Sequence, residues 1–378
     1  MITQFREWEQ NRHVYAKAWK ERTGGKVMGY FCTYVPEEIL YAANILPVRI
    51  LGCHEQNDVT ESHIFGMFCP FCRDCLAQGL KGRYDYLDGI MISQSCLHIR
   101  QAYTSWVKHI PVDFSYYLPM PNNVQSPHAV TYLTGELNQF KLAVESWIGH
   151  EITNDDLKRG IELMNEDRSL MHKLYEFKKH NNPPISGEQT MEVAIAQQMV
   201  DKKDHIIELK KLVDELISGK TASKNTGTRL MILGSENDDI PFVRMVESVA
   251  GTVVIDDHCV GTRYFWNNVK ENSENSDLIE LIARRYCERP ACPSKDWIDR
   301  TRIPHILNLA KEFNVKGAIV IQQKFCDPHE LDIPAITKAL NENDIKTLFL
   351  EFDVTVPIGQ FKIRVEAFLE MLQEDDLF

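Results

Sequence analysis

Three thiols stand at even spacing in Phe68-Cys-Pro-Phe-Cys-Arg-Asp-Cys75. Cys-x2-Cys-x2-Cys is the front of the bacterial ferredoxin run, which continues with x3-Cys-Pro. The fourth position is Gly79, so this stretch cannot close a cubane by itself, and any metal here must draw ligands from farther along the chain. Helix geometry restricts what the run can give. Cysteines three apart are displaced by about 60° around a helix and those six apart by about 120°, so a helix over 70–80 cannot aim all three at one small group. One ligand is expected, Cys69, which precedes a proline suited to a first helical turn, where the helix N-terminus favours thiolate. Cys72 and Cys75 are left as supports, packing groups or ligands to something else.

Two more thiols sit where ligands bind in open parallel sheets, just past the carboxyl ends of strands. Cys96 follows the apolar run 86–92, and Cys326 follows the run 317–322. They fall in different halves of the chain. If two sheets face each other across a cleft, Cys69, Cys96 and Cys326 converge on it. Thiolates gathered from three distant segments favour an iron–sulfur cluster over structural zinc, which normally closes with a fourth protein ligand. Three ligands leave one iron open to substrate or water. Of the ten cysteines, Cys53, Cys259, Cys287 and Cys292 read as small buried hydrophobes.

The elements that must carry these thiols alternate. Residues 3–22 have the spacing of an amphipathic helix ending at Thr23-Gly24-Gly25. A strand at 26–31, a helix from Pro36 to Asn44 and a strand at 46–51 follow. A helix at 70–80, a strand at 86–92 and a helix at 98–108 complete a first α/β region. From 134 to about 218 long amphipathic helices take over, and the polar run 218–228 is the best linker candidate. Alternation then resumes with strands at 229–233, 252–255, 317–322 and 346–352, and helices near 240–250, 276–286, 331–342 and 359–373. The reading is α/β, with two doubly wound (Rossmann- or flavodoxin-like) parallel-sheet domains joined by a helical segment. The expected divisions are an N-terminal helix and first α/β domain over 1–133, a helical connector and linker over 134–225, and a second α/β domain over 226–378.

Composition removes other classes. The chain has 378 residues, 44% hydrophobic and 25% charged, which is enough for two cores. Its net charge of -12 opposes non-specific binding to nucleic acid or anionic lipid. No apolar run reaches the roughly 18 residues needed to span a bilayer, and the first residues lack a signal-peptide core. A cytoplasmic protein with reduced thiols is expected.

Several segments in order carry a resemblance: Gly29-Tyr-Phe-Cys-Thr-Tyr-Val-Pro-Glu-Glu-Ile-Leu-Tyr-Ala-Ala43, Cys69-Pro70, Tyr86-Leu-Asp-Gly-Ile90 with Ser95-Cys96, Gly261-Thr-Arg-Tyr-Phe265, Lys324-Phe-Cys-Asp-Pro328, and Arg364-Val-Glu-Ala-Phe-Leu-Glu-Met-Leu372. Together they resemble the 2-hydroxyacyl-CoA dehydratase and benzoyl-CoA reductase family over nearly the whole chain. The resemblance implies a [4Fe-4S] cluster between two α/β domains, bound by the residues matching Cys69, Cys96 and Cys326. It also implies an acyl-CoA substrate, a homologous second catalytic subunit, and a separate ATP-hydrolysing iron–sulfur protein that donates electrons. This chain contains no Gly-x4-Gly-Lys-[Ser/Thr] loop, so ATP use through that loop must come from the other polypeptide.

The compact stretch 80–89 is more similar to the benzoyl-CoA reductase branch, which passes single electrons into an aromatic thioester. The alternatives are a 2-hydroxyacyl-CoA dehydratase subunit, a protein with the larger double-cubane cluster, and a non-catalytic electron-transfer subunit. The double cubane needs six ligands, and a second set is not evident in the sequence. Family members read Cys-Asp where this chain has Cys96-Leu97. His98 is a candidate proton donor near the cluster. Glu37, just after the first strand, is a second candidate catalytic group, although it and Glu38 also suit a helix N-terminus. Arg100, Arg263 and Lys324 are candidates to meet CoA phosphates, with surface pairing as the alternative.

Overall fold

The computed structural model describes residues 2–56, 59–219, 227–270 and 277–375. Among the described residues, eight strands form two sheets. The first contains β1 (Val27–Tyr30), β2 (Leu46–Arg49), β3 (Gly89–Ser93) and β4 (Phe114–Leu118), in the order β2-β1-β3-β4. The second contains β5 (Thr228–Gly234), β6 (Gly251–Asp257), β7 (Gly317–Gln323) and β8 (Lys346–Phe352), in the order β6-β5-β7-β8. All pairings are parallel. Each strand of the first sheet therefore has a counterpart at the same place in the second, so the doubly wound reading holds for both. In each sheet the order reverses between its first and third strands, and such a switch point opens a crevice at the carboxyl ends.

The strands β1, β2, β3, β5, β6 and β7 are buried along all or nearly all of their length, which is why they read as apolar runs. The edge strand β4 is buried only at Leu118, and its Phe-Ser-Tyr-Tyr-Leu pattern did not declare a strand beforehand. The N-terminal helix is divided into Thr3–Gln10 and Arg12–Thr23, because Asn11 leaves helical geometry at φ -113°, ψ 28°. The run at 86–92 pairs only from Gly89 onward. Just before it, the Tyr84 hydroxyl accepts from the Leu51 amide. A further helix, Arg302–Glu312, was not anticipated.

Between the sheets lie the helices Ala129–Ile148, Asn154–Glu176, Gly187–Gln197 and Lys202–Ile217. Two of them start with reciprocal capping, Thr153 with Asp156 and Ser186 with Gln189. Of the run 218–228 expected as a linker, residues 220–226 lie outside the described residues. Helix Asn154–Glu176 packs tightly on the helix Glu37–Ala42. A Cβ on Gly160 would stand 2.2 Å from the Glu38 carbonyl oxygen, so only glycine admits this approach.

That contact sets a buried clamp. Arg168 Nη2 donates to Glu38 Oε1 at 2.6 Å, with the two side chains 1% and 0% exposed. Tyr286, from the second α/β region, lies 3.0 Å from Glu38 Oε2 and donates to the Val35 carbonyl. Glu37 accepts from Tyr30 at 3.2 Å and from Tyr264 of the second region at 2.7 Å, with Lys202 Nζ at 3.6 Å. Connector and both sheets are thereby tied together.

Candidate functional site

Cys69, Cys96 and Cys326 share one local construction. Each is the N-cap of a helix: Pro70–Leu80, Leu97–His109 and Asp327–Asn341. None makes a side-chain capping bond, so each sulfur is left for another partner. Three helix N-termini present their partial positive charge at one place, which suits thiolate or an anionic group held by thiolates. Cys96 stands three residues past the end of β3, and Cys326 three residues past the end of β7. Phe325 holds φ +62° immediately before Cys326, a left-handed conformation that is strained for so bulky a residue and typical of functional positions.

All three line a single cavity of about 80 Å³, and they are not alone there. Cys32, Cys72, Cys259 and Cys292 line it too, making seven thiols in one space. Apolar walls come from Phe31, Phe71, Ile99, Pro290 and Pro328. The Cys69 thiol is within hydrogen-bonding reach of Cys326 and Cys72. Cys32 Sγ donates to Ser95 Oγ at 3.3 Å, and Ser294 Oγ donates to Cys292 Sγ at 3.3 Å. Cys32 lies two residues past β1 and Cys259 two past β6, the same strand-end position that marked Cys96 and Cys326. For Cys259 and Cys292, the reading as inert packing is replaced by a place on the cavity wall. Cys75, Cys53 and Cys287 do not line it; Cys75 donates to the Ile50 carbonyl at 3.4 Å.

As bare thiols these groups resist ionisation. Burial lifts Cys96 well above the ordinary range, with Cys326 adding to the effect. For Cys69 the contact with Cys326 acts downward, but the contact with Cys72 and burial raise the thiol well above that range. Burial, against the pull of Arg263, raises Cys259 to about 12. A metal held by these thiols would have to displace their protons, so its binding would be steeply pH-dependent. Among the described residues no group of three or more His, Cys, Asp or Glu side chains is gathered closely enough to enclose one metal ion. Structural zinc requires four ligands about 2.3 Å or less from one centre. Thiols spread around a cavity suit a cluster whose ligands attach to several irons.

Arginines stand among the sulfurs. Arg49, the last residue of β2, pairs with Glu236 at 2.8 Å across the cleft and donates to the Cys259 carbonyl at 3.0 Å. Arg263 donates to the Gly234 carbonyl at 2.5 Å and lies 3.4 Å from Asp257. The contact with Asp257 is made by its Nε, whereas its Nη1 is buried without an acceptor, as is Arg289 Nε. Buried, unspent donors facing a thiol-lined cavity fit an anionic occupant.

The remaining candidates fall elsewhere. His98 is not on the cavity wall. Its Nδ1 accepts the Cys69 amide at 3.0 Å and its Nε2 lies 3.7 Å from Asp327, so the ring bridges the Cys69 and Cys326 segments from opposite regions. Glu37 is likewise off the wall and held in the clamp. Lys324 pairs with Asp353 at 3.0 Å near the surface, whereas Arg263 is fully buried rather than surface-paired. Arg100 is half-buried and off the cavity wall. No helix of the described residues is long and apolar enough to cross a membrane.

Comparison with known proteins gives a consistent result. The family described as 2-hydroxyglutaryl-CoA dehydratase, D-component, matches residues 32–372. The chain is 26% identical to the (R)-phenyllactyl-CoA dehydratase beta subunit of Clostridium sporogenes, over 97% of each chain. It is also 26% identical to one of the subunits of benzoyl-CoA reductase from Thauera aromatica, covering 93% of this chain and 92% of that one. To the beta subunit of (R)-2-hydroxyglutaryl-CoA dehydratase from Acidaminococcus fermentans it is 26% identical, covering 92% and 93%.

Proposed function

Because the chain belongs to the 2-hydroxyglutaryl-CoA dehydratase D-component family, within which it is similar to both dehydratase and benzoyl-CoA reductase subunits, we propose that it is the iron–sulfur subunit of an ATP-coupled, benzoyl-CoA-type reductase. It works on an acyl-CoA thioester beside a homologous second subunit, and a separate ATP-hydrolysing iron–sulfur protein supplies the electrons. The observation that carries this reading is the convergence of Cys69, Cys96 and Cys326, each at a helix N-terminus, on one apolar cavity. These three would hold a [4Fe-4S] cluster, which supplies single electrons at low potential when bound. Around it the chain's own residues have clear tasks. Phe31, Phe71 and Ile99 exclude water. His98 orients the Cys69 segment, and the Glu37 and Glu38 clamp keeps the ligands of opposite regions in register.

A second reading has its own support. Cys32, Cys72, Cys259 and Cys292 on the same cavity supply the further thiols that a double-cubane cluster needs. Iron and sulfide counts on anaerobically reconstituted protein separate the two: about four of each per chain for a single cubane, about eight for the larger cluster. No bound iron refutes both. Anaerobic assays of the assembled complex with benzoyl-CoA and with a 2-hydroxyacyl-CoA then separate reductase from dehydratase, and activity only with the latter overturns the reductase assignment.

A further inference from the structure

Several buried cations have carboxylate partners: Arg49 has Glu236, Arg168 has Glu38, and Arg302 has Asp257 and Asp332. Lys178, Arg229 and Arg285, off the cavity wall, donate to a threonine hydroxyl or to backbone carbonyls. Two further cations without a carboxylate stand by Tyr34, which lines the thiol cavity. Arg289, 4% exposed, donates to the Thr33 carbonyl at 2.6 Å, to Thr33 Oγ1 at 3.2 Å and to the Arg263 carbonyl, all neutral acceptors. Lys295, fully buried, donates to the Pro121 carbonyl at 3.1 Å. Among the described residues neither is paired with a carboxylate. Both stand by the ring of Tyr34, Arg289 at 4.6 Å and Lys295 at 5.9 Å from its centre, and the Tyr34 hydroxyl accepts the Cys292 amide at 2.9 Å.

A buried charge without a counter-ion costs several kcal/mol, and an anion held at the same place offsets that cost. The groups whose negative charge would answer Lys295 are thiols: burial lowers the lysine below its ordinary range, and Cys292, Cys32 and Cys96 oppose that, in descending order. We infer that Arg289 and Lys295, gathered on Tyr34, are the counter-ions of an anionic thiolate-held group bound against the Cys32, Cys96 and Cys292 wall. The inference rests on the cluster reading and extends it. Ligand charge on this wall is matched by two cations built into the fold, so without metal the protein carries an uncompensated positive site.

The sign of a mutation then depends on loading, which a merely structural role would not produce. Lys295→Met is the cleaner variant, because the lysine has one hydrogen bond to lose. It should raise the melting midpoint of chelator-stripped protein and lower that of reconstituted protein. It should also speed iron release to a chelator by about tenfold or more, and shift the EPR-monitored midpoint potential to more negative values, since a removed positive charge disfavours the reduced, more anionic state. Lys295→Arg should restore the loaded-state values. Arg289→Gln should move the potential the same way. Stripped and loaded midpoints falling together, or an unchanged potential with iron retained, would overturn the counter-ion role while leaving the cluster reading intact. A wild type that takes up no iron refutes the cluster itself and with it the anion these cations answer.

Discussion

Removing the Glu38 carboxylate tests whether the buried clamp holds the two α/β regions in register. The charge set is asymmetric: Glu38 is the one acid facing Arg168, and it also attracts Arg285, itself fully buried and lowered to about 10 by burial and by Arg168. Burial alone would raise the Glu38 carboxyl, but Arg168 and Arg285 outweigh it and hold the group below its ordinary value. Glu38→Leu leaves two buried guanidiniums without an acid, which should cost about 4–5 kcal/mol. Arg168→Met leaves Glu38 with Arg285 as a remaining cation and should cost less, about 3 kcal/mol. The double variant removes the pair but still leaves Arg285 buried without its acid; loss of the Arg168 repulsion and the Tyr286 bond to the Val35 carbonyl should hold the deficit to about 2 kcal/mol. An unfolding entropy of about 2.1 cal/mol/K per residue over 378 residues makes each kcal/mol worth about 1.3 °C. The expected drops in calorimetry on metal-free protein are about 6, 4 and 3 °C. A double variant as unstable as the sum of the singles, or Arg168→Met worse than Glu38→Leu, refutes this electrostatic account.

Three further outcomes follow from the same geometry. Cys96→Ala and Cys326→Ala should abolish most iron uptake on anaerobic reconstitution, whereas Cys75→Ala, a change off the cavity wall, should retain it. His54 bridges to Asp238 at 2.9 Å; burial lowers its pKa, but Asp238 prevails and lifts it to about 10. Its stabilisation, on the order of 3 kcal/mol, is full below an unfolded value near 6.5 and fades as pH rises to about 10. Chemical denaturation of wild type and His54→Gln should therefore differ most at about pH 6 and converge by about pH 10; a gap that widens with pH contradicts the ion pair. Phe325→Gly relieves a left-handed residue by about 1 kcal/mol while losing a half-buried ring, so its stability should stay near wild type. Phe325→Ala loses the ring and keeps the strain, and should fall by about 1–2 kcal/mol; Ala as stable as Gly would argue against the φ of +62°.

Seven of the eight described strands and two of the thiols were legible because buried parallel strands read as apolar runs and the binding edge of such a sheet is fixed by topology. Cys96 and Cys326 were found by that rule. Applied evenly, it would also have found Cys32 and Cys259, which follow β1 and β6 as closely. They were passed over because a buried packing cysteine and a ligand cysteine are the same letter. Cys292 lies in a loop between helices and carries no such signal. Arg49 interrupts the apolar run 46–51, and a charge there announces a buried partner without naming Glu236, 187 residues away in sequence. Glu37 and Glu38 looked like helix N-terminal acids because their burial comes from the connector and the second sheet, and a local pattern cannot encode either. His98 drew attention for its nearness to Cys96, yet its ring bonds the Cys69 amide, a fact of tertiary contact alone.

Matched sheet orders explain why the cavity forms where it does. Cys96 after β3 and Cys326 after β7 occupy equivalent places, each three residues past the third strand of its sheet and each starting a helix. Cys32 and Glu236 are also equivalent, two residues past β1 and β5. Thiols from the strand ends of both sheets line the one cavity, so this shared lining requires that the two regions stay in register. The departures from symmetry are then informative. Where the first region has Cys32, the second has Glu236, which is used to neutralise Arg49 rather than to offer sulfur. Cys69 and Cys72 come from a helix that follows no strand directly, with no thiol counterpart lining the cavity from the second region's Leu278–Glu288 helix. The matched strand orders account for the facing thiols after β3 and β7, and the asymmetric additions give each wall its own sulfur and charge.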